Sequence, residues 1–201
     1  MYGGTFDPVH LGHLEIARRV AEVFEIEKVL FVPAQMAPHK IGWPVTAALH
    51  RYAMLALATQ DDPRLLISTF ELDAPDRRYT VDTVAHFQRE LDDSTELFFI
   101  MGADSWAEIT TWREWERLLT MVNHIVVARP GYELTKSHVG ALGDRVLFTD
   151  VVMNDASATR IRKLASDGRT QELRDLLPGP VLEYIRKYAI YRELNEAKLN
   201  S

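Results

Sequence analysis

The 201-residue sequence contains no cysteine. Disulfide bonds and thiolate metal sites are therefore excluded, and a cytoplasmic location is expected because structural disulfides belong to oxidising compartments. Long apolar runs are also missing, since no stretch is long enough to span a membrane and no signal peptide is recognisable. Low-complexity segments and internal repeats are absent as well, which leaves an ordinary globular protein.

Positive charge is scarce, with a formal net charge of −6 and no long basic run. This balance argues against nucleic-acid binding, but a nucleotide site needs only local positive charge and is not excluded. Hydrophobic residues make up 47% of the chain, and its length suffices for one α/β domain with a substantial core. No linker is visible, so we expect a single domain over residues 1–201, with a C-terminal helical part at about 155–195.

Short apolar runs alternate with amphipathic segments along the chain. The runs predict strands at 28–33, 65–68, 96–101, 124–128 and 146–149. The segments between and after them predict helices at 46–60, 80–91, from about 157, 170–177 and 180–188. In the first of these helices, the expected inner face consists of Leu49, Tyr52, Ala53, Leu55, Ala56 and Leu57. The alternation predicts a Rossmann-like α/β fold, a doubly wound parallel sheet with helices on both faces and a small C-terminal helical cap.

The most informative stretch, from Gly3 to His13, reads Gly-Gly-Thr-Phe-Asp-Pro-Val-His-Leu-Gly-His. Its first glycines allow a tight turn after a strand, and Asp7 and Pro8 are typical of a helix cap and first turn. A helix is therefore expected to begin at about Pro8 to His10, and a helix N-terminus after a glycine turn suits anions. His10 and His13 share a face of that helix and can both donate to phosphate oxygens. Either histidine alone could be a surface or structural residue, but this context favours phosphate binding.

Two further polar groups follow predicted strands. Lys40 lies in a loop over residues 34–45, where it is either part of a solvated loop tip or carried to the phosphates by a mobile loop. Gly102 and Asp104 come directly after the strand at 96–101, the position at which open α/β sheets place their ligands. Asp104 could serve only as a helix cap, but we favour contact with a ribose. For the helix at 80–91, Thr80 is the expected cap residue.

The remaining candidates lie in the second half of the chain. Tryptophan usually packs in the core, yet Trp106, Trp112 and Trp115 flank an apparent helix break that leaves room for one of them to face a ligand ring. The helix start near Ser157 carries hydroxyl and guanidinium groups, which either form a second anion site or belong to a capped, solvated helix.

On these residues the sequence resembles the nicotinate mononucleotide adenylyltransferases, a branch of the His-x-Gly-His nucleotidyltransferase superfamily. The Gly3–His13 stretch and the Ser-Ala-Thr-Arg-Ile-Arg block at 157–162 are typical of the superfamily. Narrower marks are Tyr-Thr-Val-Asp-Thr at 79–83, Gly-Ala-Asp-Ser at 102–105 and Thr111–Trp112. The resemblance covers nearly the whole chain.

The resemblance implies transfer of the adenylyl group of ATP to nicotinate mononucleotide, which gives nicotinate adenine dinucleotide and pyrophosphate in NAD biosynthesis. It implies a Mg²⁺ ion held mainly through the ATP phosphates, and it assigns no metal ligand to the protein. The implied catalytic residues are His10, His13 and Arg162. Those implied in ATP binding are Gly3, Gly4, Thr5, Phe6, His13, Lys40, Gly102, Asp104, Ser157, Thr159 and Arg162. Thr80 and Trp112 are implied to meet the nicotinate ring, Trp112 by stacking.

Two departures accompany the resemblance. Only Met1 and Tyr2 precede the first glycine, so a weak first strand is expected, from an internal start or a shortened chain. Ala158 replaces the second serine of the usual motif, and we expect little loss of function because the neighbouring hydroxyls remain.

Two other functions stay open: an adenylyltransferase acting on nicotinamide mononucleotide or another phosphate acceptor, and a non-catalytic nucleotide-sensing protein. Expected partners are ATP and nicotinate mononucleotide, with no nucleic acid and no membrane, and a homo-oligomer remains possible.

Overall fold

A computed structural model describes residues 1–35, 45–74, 79–92, 94–128, 145–149 and 156–192. Within these ranges, six strands form one sheet in which every adjacent pair is parallel. The strands are β1 (Tyr2–Gly4), β2 (Val29–Pro33), β3 (Leu65–Ile67), β4 (Phe98–Gly102), β5 (Asn123–Val127) and β6 (Val146–Thr149). The α-helices are α1 (Leu11–Val23), α2 (Ala48–Thr59), α3 (Thr80–Glu90), α4 (Ala103–Ala107), α5 (Trp115–Met121), α6 (Ala158–Ser166) and α7 (Gly179–Lys187).

The strand order is β3-β2-β1-β4-β5-β6. The chain therefore winds outward from β1 in one direction and, after returning to β4, outward in the other. This order confirms the predicted doubly wound parallel sheet. Its reversal point lies between β1 and β4, and ligands of such sheets bind beside the carboxyl ends of the strands at that point.

Both faces of the sheet are buried, because side chains alternate along each strand. Phe31, Ile100 and Ile125 face one core, into which α1, α2, α6 and α7 pack. Val32 and Val126 face the other core, which α3, α4 and α5 cover. None of the helices in the described ranges combines the length and apolar character needed to cross a bilayer.

Strand β1, which the sequence predicted to be weak, lies at the centre of the sheet. Tyr2 is aligned with Phe31 of β2 on one side and with Ile100 of β4 on the other. The Ile100 N–H donates to the Met1 carbonyl at 2.8 Å, and both Met1 and Tyr2 are buried. Its two neighbouring strands therefore hold β1, although it is only three residues long.

The start of α1 differs from the prediction. The helix begins at Leu11 with His10 as its N-cap residue, so Asp7 does not cap it. The Asp7 carboxylate is instead occupied elsewhere: Oδ1 accepts from the Tyr191 hydroxyl at 2.6 Å, and Oδ2 accepts from the Thr46 N–H at 3.1 Å. Local sequence could not reveal these distant donors.

The inner face of α2 was predicted correctly at Leu55, which is fully buried, but wrongly at two other positions. Leu49 is 82% exposed and Tyr52 is 36% exposed, whereas the helix buries Arg51, Met54, Leu55, Ala58 and Thr59. The helix is rotated relative to the apolar pattern because Arg51 points inward, where four backbone carbonyls accept its N–H groups. A helical wheel assigns arginine to the solvent face, so the apolar pattern alone places Arg51 on the wrong side of the helix.

Two smaller predictions failed for local reasons. Thr80 does not cap α3, because Tyr79 is the N-cap residue and its N–H donates to Asp82 Oδ2 at 3.4 Å. Residues 170–177 form turns rather than a helix. The Leu176 carbonyl accepts from the Leu11 N–H at 2.9 Å, and Pro178 has no N–H with which to extend a helix.

Candidate active site

The candidate site lies at the reversal point of the sheet, where β1 and β4 end side by side. Gly4 is the last residue of β1 and Gly102 is the last residue of β4. The turn after β1 leads into α1, while α4 begins directly at Ala103 after β4. The predicted contact residues Gly3, Gly4, Gly102 and Asp104 therefore belong to the same edge of the sheet.

The turn after β1 is shaped by Phe6. Its backbone lies in the left-handed region, with φ of 49°, and its side chain is buried. A Cβ added to Gly4 would approach Phe6 Cζ to 2.8 Å, so only glycine fits there without a shift of the ring. The Phe6 ring also packs edge-to-face on the His13 ring, with 5.0 Å between centroids. Any contact of Phe6 with a phosphate would therefore come from its backbone.

The two histidines stand together at the start of α1. Their rings are stacked, with centroids 3.7 Å apart and planes inclined by 25°. The His10 backbone N–H donates to His13 Nδ1 at 3.2 Å. Because Nδ1 is an acceptor, the proton of neutral His13 lies on Nε2, which can donate to an anion.

The backbone of the same helix start is partly used. The Leu11 N–H donates to the Leu176 carbonyl and the His13 N–H to the His10 carbonyl, both at 2.9 Å. These two N–H groups therefore already have carbonyl acceptors within the protein. A Cβ added to Gly12 would approach His10 Nδ1 to 3.2 Å, so this glycine makes room for the His10 ring.

The start of α6 lies against the β1 turn. Ser157 is its N-cap residue, and its Oγ accepts from the Arg160 N–H at 3.3 Å. Arg162 donates through Nη1 to the Asp7 carbonyl at 2.8 Å and through Nη2 to Thr159 Oγ1 at 3.3 Å. The predicted second anion group, Ser157, Thr159 and Arg162, is thereby joined to the stretch that contains the two histidines.

Across the reversal point lie the remaining candidates, which come from α3, from α4 and from the segment between α4 and α5. Asp104 lies in the first turn of α4 and is half-buried. The Arg113 guanidinium lies 4.7 Å from the centroid of the Tyr79 ring, which brings their chain neighbours Trp112 and Thr80 into the same region.

Of the three tryptophans considered as core or ligand-facing residues, one lies entirely in the core. Trp106 is fully buried, whereas Trp112 and Trp115 are half-buried. Trp112 packs edge-to-face on Phe99, with 6.2 Å between centroids.

Lys40 lies outside the described residues. Within the described residues, no group of three or more His, Asp or Glu side chains could hold a metal ion.

Two residues that support the site, Arg51 and Tyr191, were missed in the sequence. Arg51 is fully buried, and burial lowers the pKa of its guanidinium while the Asp7 charge opposes that shift. Burial and the Asp7 charge together raise the pKa of the Tyr191 hydroxyl, which therefore stays protonated as a donor. The sequence signal for Arg51 was a single arginine within the predominantly apolar α2, while Tyr191 gave none.

A doubly wound parallel sheet with a His-x-Gly-His helix start at its reversal point defines a nucleotidyltransferase-type α/β protein. A family model described as cytidylyltransferase-like matches residues 1–164. A probable nicotinate-nucleotide adenylyltransferase of Thermus thermophilus is 43% identical over 192 residues, covering 96% of this chain and 98% of the relative. One of the same name from Thermoanaerobacter is 40% identical over 200 residues, covering 96% and 94%. The chain therefore belongs to the nicotinate-nucleotide adenylyltransferases of the cytidylyltransferase-like family.

Solved structures show the same fold. Plasmodium falciparum nicotinic acid mononucleotide adenylyltransferase in complex with NaAD has a TM-score of 0.79 at 20% identity, covering 94% of this chain and 95% of that one. The same Plasmodium enzyme in complex with APC has a TM-score of 0.77.

Proposed function

We propose that the protein transfers the adenylyl group of ATP to nicotinate mononucleotide and releases pyrophosphate, as a step of NAD biosynthesis. Family membership supports this reaction. The observation that carries the residue assignment is the stacked His10–His13 pair at the start of α1, in which His13 Nδ1 accepts from the His10 N–H and a neutral His13 therefore carries its proton on Nε2.

The ATP phosphates are assigned to the groups around the β1 turn and the start of α6. Thr5, His10 and His13 meet them from one side, and Ser157, Thr159 and Arg162 hold the triphosphate from the other. Gly3, Gly4 and the Phe6 backbone line the turn, Lys40 is assigned to the phosphates by resemblance alone, and Gly102 and Asp104 meet the adenosine. The bond from Arg162 to the Asp7 carbonyl supports this arrangement, because it holds the two anion groups together.

The reaction needs positioning and charge stabilisation rather than a general base. The nucleophile is the phosphate of nicotinate mononucleotide, which is already an anion. One of its oxygens forms a bond to the α-phosphorus of ATP while the bond from that phosphorus to the pyrophosphate oxygen breaks. Negative charge develops on the non-bridging and leaving oxygens, where His13 Nε2–H, His10 and Arg162 stabilise it.

Mg²⁺ is assigned to the phosphates rather than to the protein. Both oxygens of the buried Asp7 carboxylate accept hydrogen bonds from other parts of the chain, which gives this acid a structural role. Mg²⁺ commonly binds through substrate phosphates and water. When bound, it neutralises phosphate charge and helps the pyrophosphate to leave.

The nicotinate ring is assigned to Trp112 and Thr80. Trp112 is half-buried and can present part of its ring to a planar ligand. Thr80 is the first residue of α3, so its N–H has no acceptor within the helix and suits the nicotinate carboxylate. A carboxylate there is favoured over an amide because the helix dipole attracts negative charge.

The test is pyrophosphate release by the purified protein with ATP and Mg²⁺. We expect strong preference for nicotinate mononucleotide over nicotinamide mononucleotide, with nicotinate adenine dinucleotide identified by mass. Equal use of the two acceptors would overturn the substrate assignment but keep the phosphate chemistry. Binding of ATP with no release for any phosphate acceptor would instead favour a nucleotide-sensing protein.

The remaining partners follow from the same chemistry. ATP and nicotinate mononucleotide are metabolites of the cytoplasm, where we place the enzyme. The net charge of −6 supports neither nucleic-acid nor membrane binding.

A further inference from the structure

Arg51 joins three separate chain segments behind the β1 turn. Its Nη1 donates to the Thr5 carbonyl at 2.8 Å and to the Ala34 carbonyl at 2.7 Å. Its Nη2 donates to the Gln35 carbonyl at 3.1 Å, and its Nε to the Thr46 carbonyl at 2.9 Å. The side chain is 1% exposed, so these carbonyls replace water as its partners.

The charge of Arg51 is compensated only in part. Asp7, itself buried, is the carboxylate whose charge acts on it, yet the hydrogen bonds described for Asp7 come from Tyr191, Thr46 and Arg162 rather than from Arg51. Arg162 contacts Asp7 through the backbone carbonyl, so the Asp7 carboxylate forms no described hydrogen bond with either guanidinium group. Arg51 thus contributes a buried positive charge beside the β1 turn, which favours a polyanion such as a triphosphate.

We propose that Arg51 is a positioning residue for adenylyl transfer, which orients the Thr5 turn through its planar fork and adds buried positive charge behind the phosphates. The inference rests on the proposed function and assigns no contact between Arg51 and substrate. Lysine would keep the charge but could not reach carbonyls of three segments in one plane, because its ammonium is a compact point charge.

Two substitutions distinguish the effect of the planar hydrogen-bonding geometry of Arg51 from the effect of its positive charge. Arg51→Lys should leave the calorimetric ATP Kd close to the wild-type value but lower kcat roughly ten- to a hundredfold, since small misplacements have effects of that size. Arg51→Met should lower kcat as well and also raise the ATP Kd roughly tenfold, because a buried charge is lost. Arg64→Lys and Arg64→Met are matched controls, since Arg64 is 42% exposed and pairs with Asp62 away from the site.

A purely structural role predicts a different result. It would lower the melting temperature of both Arg51 variants while kcat per folded molecule stays at the wild-type value, and that outcome overturns the proposal. Wild-type kcat in Arg51→Lys would overturn it too. If wild type itself transfers nothing to nicotinate mononucleotide, the proposed function fails, and the contrast in ATP Kd between the Lys and Met variants still tests the charge role of Arg51.

Tyr191→Phe keeps the test decisive if neither Arg51 variant folds. The substitution removes one oxygen, the donor to Asp7 Oδ1, and leaves the ring in place. Because Asp7 is tied to Thr46 beside the Arg51 fork, a folded Tyr191→Phe should lower kcat roughly tenfold, the size expected for a lost hydrogen bond to a charged group. Tyr188→Phe is its control, since the Tyr188 side chain is exposed. Equal kcat in the two tyrosine variants would overturn the positioning role.

Discussion

His13 illustrates how one backbone bond fixes the chemistry of a side chain. Because Nδ1 accepts from the His10 N–H, the proton of the neutral ring lies on Nε2, which makes Nε2 the donor nitrogen. Stacking on His10 and the edge contact with Phe6 restrict the ring further. Such a preorganised donor needs no reorganisation when charge develops on phosphate oxygens.

His13→Ala should therefore lower kcat by roughly two to three powers of ten while the protein stays folded. Steady-state pyrophosphate release measures kcat, and circular dichroism during thermal unfolding checks the fold. His86→Ala is a suitable comparison, since His86 stacks on Phe70 and belongs to no part of the site. Near-normal turnover of a folded His13→Ala would show that His13 has no catalytic role.

His124 is a histidine of the opposite kind. It is fully buried on β5 between the rings of Phe99 and Trp106, and within the described part of the chain neither ring nitrogen has a hydrogen-bond partner. Burial lowers its pKa from 6.5 to about 4. The folded state thus resists protonation that the unfolded state accepts.

The sign of the pH dependence follows from that difference. Between pH 6.5 and about 4 the unfolded chain binds the extra proton, so the free energy of unfolding falls with decreasing pH, by about 3 kcal/mol over the whole window. His124→Phe should remove this slope. Urea unfolding at several pH values between 7 and 4 measures it, with His86→Gln as the comparison. A slope unchanged in His124→Phe would mean that other groups cause the acid sensitivity.

At the scale of elements, the turn after β1 leaves little room for additional side-chain atoms. Phe6 adopts a left-handed backbone conformation, and its ring fills the space that a Cβ at Gly4 would need. By contrast, a Cβ added to Gly179, at the start of α7, would meet nothing within 4 Å. The two glycines therefore offer a direct comparison.

Gly4→Ala should lower the free energy of unfolding by roughly 1–3 kcal/mol, the usual effect of overpacking, and should also lower kcat because Phe6 contacts His13. Gly179→Ala should be neutral or slightly stabilising, since alanine is the better helix former. Urea unfolding and pyrophosphate release measure both variants. Equal stability of the two would contradict the close packing of the turn.

The elements that could be predicted are those whose cause is local. β2 and β4 are continuous apolar runs, β5 ends in one, and α6 begins after the serine at which a helix start was expected. The failures involve partners far away in sequence. Asp7 is held by Tyr191 rather than by the helix it precedes, and α2 is rotated by the carbonyls that receive Arg51. Local periodicity carries no information about such acceptors.

At the scale of the whole molecule, strand alternation predicted the doubly wound sheet, and the sheet order then places the site at its reversal point. The His10–His13 pair could be predicted because both residues lie on one helix turn. The link from Arg162 to the Asp7 carbonyl could not, because it joins residues 155 positions apart. The proposed ATP site thus combines a motif visible in sequence with a brace that only the fold creates.

A ligand that binds only the folded protein raises its stability by mass action, by about 2.7 kcal/mol at a hundredfold excess over Kd. For a chain of this length, ATP with Mg²⁺ should therefore raise the melting temperature by about 5–10 °C. Removing Mg²⁺ with EDTA should shrink that shift, because the phosphate charge then meets only His10, His13 and the arginines. Thermal unfolding with matched concentrations of ATP, CTP and AMP separates the contributions: CTP lacks the adenine and AMP lacks the β- and γ-phosphates. A shift as large with CTP would show that the Gly102–Asp104 region does not select adenosine, and a shift insensitive to EDTA would show that the metal takes no part in ATP binding.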